Sequence, residues 1–368
     1  MNAPSKENLN SFVERHFKNN FLTFCRLLAK YSASLEFAYV HEMDRSLAVR
    51  TTRIAIWGCG HGELDRVYEA VAALNASAPD GRAIELVICC GDFQSVRNEA
   101  DLATMACPQK YRRMNTFFKY YSGEAIAPLP TIFVGGNHEA SCYLQELYNG
   151  GWVAPNIFFL GRSGVIQFRG LRIAGVSGIF KGGDFRSGYF ERLPYSDDAV
   201  RSINHVREFD YARLSTLRCP IDIMVGHDWP RGIEHYGDTS SLLRDKPLFE
   251  PDVRSGQLGN PASWELLTRI RPRFWFGAHL HVKFSALVIH PDRASVASGS
   301  VGASPTAGSA AACTIDNSSC HTLPEVTRFL SLDKCLPGRA YLQVLDVPWR
   351  AGESSLSRSP TYCMLHFD

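Results

Sequence analysis

No stretch of this 368-residue chain is long and apolar enough to cross a membrane, which needs roughly 20 consecutive apolar residues. The nearest candidate, residues 21–28, contains Arg26 and is followed by Lys30. Charge of one sign is also scarce. The net charge is +2, so a basic surface for nucleic acid would have to be local. We therefore expect a soluble globular protein with no membrane association.

The cysteines lack the pattern of a disulfide framework. There are 11 of them, an odd number, and they are spread over the chain with Cys89 and Cys90 adjacent. Disulfide-stabilised domains are small and carry evenly paired cysteines. The cysteine pattern therefore predicts reduced thiols in a cytosolic or nuclear protein.

Residues 1–50 lack the composition of a mitochondrial presequence, because they contain acidic residues such as Glu7, Glu14 and Glu36. Their apolar residues have a loosely helical, amphipathic spacing. We expect an N-terminal extension, partly helical or disordered, ahead of the main domain. Sequence added by an upstream start codon is the alternative interpretation.

From residue 51 onward, short apolar runs alternate with stretches of helical spacing. The run Leu86–Cys90 is typical of a buried strand, and residues 97–121 predict a helix that breaks at Pro108. Two alternating runs, Val326–Leu332 and Tyr341–Val347, predict an edge hairpin. The pattern indicates a layered α/β fold that carries functional loops at one sheet edge.

Seven side chains with metal-ligand chemistry fall into five short clusters, each directly after a strand-like run. They are Cys59 and His61, Asp92, Asn137, His227, and His279 and His281. In the two paired clusters the ligands are two residues apart, which places both on one side of an extended backbone. A thiolate, imidazoles, a carboxylate and an amide oxygen make a two-metal hydrolase the leading hypothesis.

Each cluster alone has a simpler explanation. A single histidine beside a strand is more often a core residue, and Cys59 alone would be a small buried apolar side chain. Asn137 and Asp92 are also suited to capping a helix. Five clusters of ligand types at strand ends are hard to obtain by chance, so their conjunction favours the metal site.

The order and spacing of these clusters resemble the metallophosphoesterase superfamily, whose motifs are Asp-x-His, Gly-Asp, Gly-Asn-His, a single His and Gly-x-His-x-His. Cys59 stands where the superfamily has its first Asp, and this departure is similar to the RNA lariat debranching family. The segments 147–152, 227–233 and 329–337 extend that resemblance, which covers about residues 52–348.

The resemblance implies two divalent metals and a catalytic histidine. One metal would be held by Cys59, His61, Asp92 and His281, and the other by Asp92, Asn137, His227 and His279, with Asp92 and a hydroxide bridging them. His138 would stabilise the phosphate or protonate the leaving oxygen. A thiolate ligand favours Fe²⁺ or Zn²⁺ in the first site, with Mn²⁺ a further candidate for the second.

The implied activity is hydrolysis of the 2′-5′ phosphodiester bond at the branch point of excised intron lariats, which linearises introns for turnover. The implied fold is a layered sheet sandwich flanked by helices. We expect the catalytic domain over residues 51–297 with a lariat recognition loop at about 179–198. A flexible Ser-, Ala- and Gly-rich insert should follow over 298–323, and a C-terminal debranching-type segment over 324–368.

Substrate contacts are expected from aromatic and basic side chains, which stack unpaired bases and neutralise phosphates. In the loop these are Lys181, Arg186, Tyr189, Phe190 and Tyr195, and after the third motif they are Tyr148, Asn149 and Trp152. Composition alone would favour an ordinary surface loop. We expect the partner to be branched intron RNA and the protein to be a monomer that associates with RNA-processing factors. Nuclear residence is inferred from the substrate alone.

Three alternatives stay open at this point. A generic phosphoesterase shares all the metal motifs and is favoured if branched RNA is left uncut. A DNA-repair nuclease of the superfamily should carry Asp in the first motif. A non-catalytic scaffold should have lost ligands or the histidine beside Asn137, and none is missing here.

Overall fold

The computed structural model describes residues 50–291 and 326–350, together with the backbone of Cys363–Met364. The expected N-terminal extension and the expected insert over residues 298–323 lie outside the described residues. None of the helices within the described ranges is long and apolar enough to span a membrane.

Six strands form the first sheet. Numbered along the chain, they are β1 Thr51–Trp57, β2 Leu86–Cys89, β3 Thr131–Phe133, β4 Gly151–Ala154, β5 Ile157–Phe159 and β12 Leu342–Pro348. Their order is β12-β1-β2-β3-β5-β4, and the four central strands are parallel. Because both faces of these central strands are covered, they read as continuous apolar runs.

Seven strands form the second sheet. They are β6 Ser163–Phe168, β7 Leu171–Val176, β8 Ile223–Gly226, β9 Phe274–Gly277, β10 Phe284–Ile289, β11 Val326–Ser331 and β13 Cys363–Met364. Their order is β10-β11-β9-β8-β7-β6-β13, and again the four inner strands β11, β9, β8 and β7 are parallel.

Helices connect and cover the strands. They are α1 Leu64–Ala76, α2 Glu99–Leu102, α3 Phe117–Ser122, α4 Ser141–Glu146, α5 Gly182–Phe185, α6 Asp197–Ser202, α7 Glu208–Ser215, α8 Thr239–Asp245, α9 Glu250–Ser255 and α10 Pro261–Ile270. Short 3-10 turns lie at Gln109–Tyr111, Ile233–Tyr236 and Pro247–Phe249.

The three largest parts of the core define four layers. Between the sheets, side chains such as Ile56 and Ile88 pack against Ile173 and Val225. The outer face of the first sheet packs on α1, α3 and α4, and that of the second sheet packs on α7 and α10. Apolar side chains alternate between the two faces of each strand, so one strand contributes to two cores. The predicted α/β sandwich flanked by helices is confirmed.

Two predicted elements are wrong. Residues 97–121 do not form one broken helix: only α2, one 3-10 turn and the start of α3 are helical there. Besides Pro108, the segment is interrupted at Asn115, whose backbone is left-handed (φ 48°). The segment runs along the candidate site and supplies polar groups to it, as described below.

The predicted C-terminal hairpin is also wrong. β11 pairs with β9 and β10 in the second sheet, whereas β12 pairs with β1 in the first. The connection between them crosses from one sheet to the other, past the first ligand cluster. There the Cys335 amide donates to the Cys59 carbonyl (3.2 Å). An alternating pattern predicts a strand but not its partner, since pairing depends on distant parts of the chain.

Candidate metal centre

Every predicted metal ligand follows the carboxyl end of a parallel strand. Cys59 and His61 follow β1, Asp92 follows β2, Asn137 follows β3, His227 follows β8, and His279 and His281 follow β9. The first three strands are neighbours in one sheet and the last two are neighbours in the other. Sheet topology therefore brings all seven side chains to one edge of the sandwich.

The first group consists of Cys59, His61, Asp92 and His281. One ligand atom from each of the four lies within 4.8 Å of all the others. The Nε2 atoms of His61 and His281 are 3.3 Å apart, and His61 Nε2 is 3.8 Å from Asp92 Oδ2. Cys59 and Asp92 are buried, while the two histidines are half-buried. The set is therefore compact, with two fully buried members and two members that are partly accessible to solvent.

The second group lies on the other oxygen of Asp92. His227 Nε2 is 3.4 Å from Asp92 Oδ1 and 3.2 Å from Asn137 Oδ1. The ring of His279 is 5.0 Å from that of His227, centroid to centroid. The two carboxylate oxygens of Asp92 thus face different ligand groups, which is the arrangement that a bridging carboxylate requires.

The backbone at this edge is strained. His61, Asp92, His279 and His281 all have left-handed conformations, with φ of 47°, 50°, 63° and 51°. Such values cost energy in residues other than glycine and cluster at functional sites. Turns this sharp let consecutive ligands point into one small volume.

Two glycines allow the strand ends to approach one another. A Cβ atom at Gly91 would overlap the His227 ring, and one at Gly136 would overlap the carboxylate of Asp92. Gly91 also has a positive φ of 110°, which favours glycine. These positions therefore have no room for a side chain while the ligands hold their places.

Hydrogen bonds define which atoms carry protons. His138 Nδ1 donates to the Ala106 carbonyl (2.9 Å), so its Nε2 accepts from the amide nitrogen of Asn137 (3.1 Å). That orientation turns Asn137 Oδ1 toward His227. His227 Nδ1 in turn donates to the Cys90 carbonyl (2.8 Å), which leaves His227 Nε2 as an acceptor.

Acceptors consequently face acceptors at the centre of the site. His227 Nε2, Asn137 Oδ1 and Asp92 Oδ1 converge without a proton between them. Lone pairs in this arrangement repel one another unless a cation lies among them. Nitrogen, oxygen and thiolate donors are the ligands of Zn²⁺, Fe²⁺ and Mn²⁺ in proteins. The residues present therefore fit a pair of divalent metals.

The pKa shifts of three candidate ligands favour the protonation states that bind a cation. Burial lowers the pKa of His227 to about 4 against the opposing charge of Asp92, and burial together with His61 lowers the pKa of His281 to about 3. Both rings are neutral at physiological pH and ready to coordinate. Burial alone would raise the pKa of Asp92, but the surrounding histidines outweigh it and hold that pKa well below its usual range.

Cys59 behaves differently. Burial, reinforced by the charge of Asp92, raises the pKa of the Cys59 thiol well above its ordinary value, while the backbone amide of His279 donates to the sulfur (3.1 Å) and opposes the shift. A thiol in this position loses its proton only when a metal cation takes the proton's place. Cys59 is therefore suited to metal coordination and not to acting as a free nucleophile.

Glu139 was overlooked in the sequence, although it directly follows His138. It is buried, and its carboxylate accepts from the backbone amides of Phe93, Gln94 and Gly136 at 2.7–2.8 Å. Burial raises the pKa of Glu139 to about 7, with Asp92 adding to that shift and the three amides opposing it. Glu139 ties the second motif loop to the third. An acid inside a Gly-Gly-Asn-His-Glu run was the signal that could have found it.

Gln94 is a second residue that the sequence did not single out. Its side-chain nitrogen lies 3.4 Å from His61 Nδ1, and Asn115 donates to the His61 carbonyl (3.0 Å). Both residues have left-handed backbones. Gln94 thus contacts the His61 ring at the nitrogen that does not face Asp92, while Asn115 holds the His61 backbone.

Two of the predicted substrate-binding tyrosines point inward. The hydroxyls of Tyr148 and Tyr189 donate to the two oxygens of Asp210, at 3.1 and 2.7 Å, and their rings meet edge to face. Asp210 is fully buried at the start of α7. These tyrosines therefore connect the third-motif segment, the recognition loop and α7.

The other predicted substrate-binding residues are more accessible. Lys181, Arg186, Asn149, Trp152 and Phe190 are exposed, and Tyr195 is half-buried. Lys181 and Phe190 line a cleft of about 460 Å³ together with α6 residues and His205. The side chain of Asn149 accepts from Arg213 (3.3 Å). The exposed members of the set are accessible to a ligand. Tyr148 and Tyr189 instead stabilise the loop through their hydrogen bonds to Asp210.

Two family models match the chain. The model of the calcineurin-like phosphoesterases matches residues 52–283, and the model of the C-terminal domain of lariat debranching enzyme matches residues 324–368. The first match contains all seven candidate ligands and His138.

Curated proteins named lariat debranching enzyme are similar to this chain. The protein from Danio rerio is 50% identical over 302 residues, covering 82% of this chain and 48% of that protein. The Homo sapiens protein is 50% identical over 297 residues (80% and 49%), and the Arabidopsis thaliana protein is 45% identical over 300 residues (82% and 64%). The chain spans about half the length of the two vertebrate relatives.

Proposed function

The chain belongs to the calcineurin-like phosphoesterase family, and from that premise we propose that it is a metal-dependent phosphodiesterase that debranches RNA lariats. The bond cleaved is the 2′-5′ phosphodiester at the branch point of an excised intron. The observation that carries the proposal is the complete, convergent ligand set with Cys59 in the first position. The C-terminal domain match and the names of the relatives support the choice of substrate.

Cys59, His61, Asp92 and His281 would hold one metal, and Asp92, Asn137, His227 and His279 the other. The bound pair would supply charge neutralisation at the phosphate and a nucleophile at neutral pH. The thiolate of Cys59 favours Fe²⁺ or Zn²⁺ in the first position, with Fe²⁺, Zn²⁺ or Mn²⁺ in the second.

His138 is the residue that we assign to proton transfer. Its Nδ1 is engaged by the Ala106 carbonyl, so proton exchange takes place at Nε2. Water oxygen bonds to phosphorus and the bond from phosphorus to the branch 2′-oxygen breaks, in line. For this step Nε2 of His138, which accepts from Asn137 in the structure, takes up a proton from solvent and gives it to the departing 2′-oxygen, while the proton of the attacking water passes to solvent. The products are a 2′-hydroxyl and a 5′-phosphate.

Recognition of the branch is assigned to the loop over residues 179–198 and the segment after the third motif. Exposed Phe190 and Trp152 offer faces on which unpaired bases stack, and Lys181 and Arg186 offer charge to phosphates. The tyrosines bonded to Asp210 hold this surface in place, which reduces the entropy lost on binding.

Further proposals follow from the substrate. Lariats are products of splicing, so we propose nuclear residence and association with RNA-processing factors, with a monomer as the active form. The loop and the metal centre are built from one chain, so a single chain supplies every residue that the proposal uses.

The direct test is incubation of the purified protein with a synthetic 2′-5′ branched RNA beside a linear 3′-5′ RNA, with Fe²⁺, Zn²⁺ or Mn²⁺ added separately. We expect cleavage at the branch alone, with at least one of the three metals. Cleavage of the linear RNA at the same rate would contradict the debranching assignment. An uncut branched RNA together with hydrolysis of a small phosphodiester would favour a generic phosphoesterase.

A further inference from the structure

Arg162 is a buried arginine without an acidic partner among the described residues. It lies in the turn between β5 and β6, and only 3% of its surface is exposed. Its Nε donor is fully enclosed and has no hydrogen-bond partner within the part of the chain that the structure describes. Burying a guanidinium with unused donors is costly, so such a group calls for a ligand or a compensating contact.

The contact that the structure provides is aromatic. The guanidinium carbon of Arg162 lies 4.9 Å from the centre of the Tyr189 ring. The face of an aromatic ring stabilises a nearby cation, but this contact uses none of the five N–H donors of the guanidinium. The N–H donors of the Arg162 guanidinium therefore lack acceptors among the described residues.

A second buried arginine on the same ring makes the contrast clear. Arg207 lies 4.7 Å from the centre of the Tyr189 ring and is 1% exposed. All three of its side-chain nitrogens donate: to the carboxylate of Glu191 (2.7 Å) and to the carbonyls of Ser202, His205 and Gly188. A structural arginine in this environment is fully bonded, and Arg162 is not.

The neighbouring acids are engaged elsewhere. Asp210 accepts from Tyr148, Tyr189 and the backbone of Arg207, and Glu191 accepts from Arg207 and Ser202. One oxygen of Glu191 has no partner, but it forms no ion pair with Arg162. The positive charge of Arg162 is therefore not neutralised by an ion pair with any of the residues that the structure describes.

The backbone of Arg162 is linked to the loop of the third motif through Ser177. Its carbonyl accepts from the Ser177 amide (2.9 Å), and the Ser177 hydroxyl accepts from the Gly135 amide (2.8 Å), two residues before Asn137. Like the ligands, Arg162 follows a parallel strand, β5, at its carboxyl end. The recognition loop covers it through Tyr189.

We propose that Arg162 is the base of a second anion site, separate from the metal centre, that takes a phosphate of the RNA chain next to the branch. A guanidinium binds a phosphate through two parallel N–H donors, which suits the unused donors of this side chain. The identity of the ligand as RNA phosphate rests on the proposed function. The existence of an anion site at Arg162 does not rest on that function.

The test compares Arg162→Met, which keeps length and removes charge, with Arg169→Met. Arg169 also lies near an aromatic ring, that of Phe168, but it is exposed, pairs with Glu85 and sits on the β6–β7 turn. The first measurement is the melting temperature with added inorganic phosphate. Phosphate should stabilise the wild type and Arg169→Met more than Arg162→Met, because binding to the folded state raises stability.

The second measurement is the dissociation constant of a branched RNA with a non-hydrolysable branch linkage, as a function of KCl. Arg162→Met should weaken binding at least about tenfold and reduce the slope of log K against log salt by about 0.7–0.9, one phosphate contact. Arg169→Met should leave both unchanged. Loss of phosphate stabilisation in Arg162→Met with no RNA binding by the wild type would support the anion site and contradict the proposed function.

A purely structural arginine would give a different result. If Arg162→Met melts at a lower temperature without phosphate, keeps the full phosphate effect and keeps the salt slope, the proposal is overturned. Removing a buried charge that lacks a partner should instead leave the melting temperature unchanged or raise it.

Discussion

The candidate metal centre and the loop over residues 179–198, to which we assign recognition, lie at the same edge of the sandwich but are built differently. The centre consists of side chains on short turns directly after parallel strands, held by backbone amides and strained φ angles. The loop consists of α5, irregular chain and the first residues of α6, and its anchor is a set of side-chain contacts around Asp210 and Tyr189. The candidate ligands are thus positioned by sheet topology, whereas the loop is positioned by side-chain packing.

This difference predicts how each region responds to substitution. Changes in the centre should abolish the reaction on every phosphodiester. Changes in the loop should affect branched RNA and spare a small substrate such as bis(4-nitrophenyl) phosphate. The following predictions test that separation, beginning with the largest effect.

Asp92→Asn should lower kcat for both substrates at least about 10⁴-fold, because the amide cannot serve two metals that together supply several kcal/mol of charge stabilisation. Kinetics with each substrate and metal analysis of the purified variant would check this. Asp80→Asn, at a surface carboxylate that pairs with Arg53, is the matched control and should retain activity. Substantial turnover by Asp92→Asn would mean that Asp92 does not bridge the metals.

His138→Ala should lower kcat on branched RNA about 10²–10⁴-fold, the usual contribution of a positioned acid or base. The metal content should remain at two per chain, because the assigned ligands are untouched. Elemental analysis beside single-turnover kinetics would separate the two effects. If the variant loses metal, His138 is a ligand and our assignment of it is wrong.

Gly91→Ala should lower metal affinity about 10–100-fold, the effect typical of displacing groups that orient ligands. The added methyl group would overlap the His227 ring. Gly183→Ala in the loop over residues 179–198 is the control, since no atom of the described residues lies within 4 Å of a Cβ there. Metal titration of both variants would test the contrast, and equal affinities would contradict the close approach of the two motif loops.

Cys59→Asp should move the metal preference toward Mn²⁺, because a hard oxygen replaces a soft sulfur. The readout is the rank of activities with Fe²⁺, Zn²⁺ and Mn²⁺ added to metal-free protein. An unchanged rank would show that Cys59 does not set the preference of the first site.

Within the loop, Phe190→Ala and Tyr189→Phe should separate contact from support. Phe190 is 57% exposed, so its loss should raise KM for branched RNA about 5–100-fold, the value of one stacked base, without changing stability. Tyr189→Phe removes the hydroxyl bonded to Asp210 and should destabilise the fold by about 1 kcal/mol. Thermal denaturation and steady-state kinetics together check both. If Phe190→Ala instead destabilised the fold and Tyr189→Phe instead raised KM alone, the roles assigned to the two residues would be wrong.

The convergence of the seven candidate ligands could be predicted from the sequence because each of them follows a local strand pattern, whereas their role as metal ligands stays a prediction. An apolar run ending in a ligand implies a strand end, and parallel strands bring their ends together. Cys59, Asp92 and His227 could therefore be grouped before their distances were known.

What the sequence could not predict depends on contacts between distant segments. The pairing of β11 and β12 with different sheets, the inward turn of Tyr189 and the isolation of Arg162 all follow from residues far away in the chain. The stretch over 97–121 has helical spacing, but Pro108 and the left-handed Asn115 interrupt it. Local propensity is a weak guide where a segment is shaped around a site.

The most direct test of the account is cleavage of a branched RNA in water enriched in ¹⁸O, with mass analysis of both products. The account predicts one ¹⁸O atom in the newly released 5′-phosphate and an unlabelled 2′-hydroxyl on the branch nucleotide, with all 3′-5′ bonds intact. Label in the branch hydroxyl, or products cut at 3′-5′ bonds, would contradict hydrolysis at the 2′-5′ phosphorus by this metal centre.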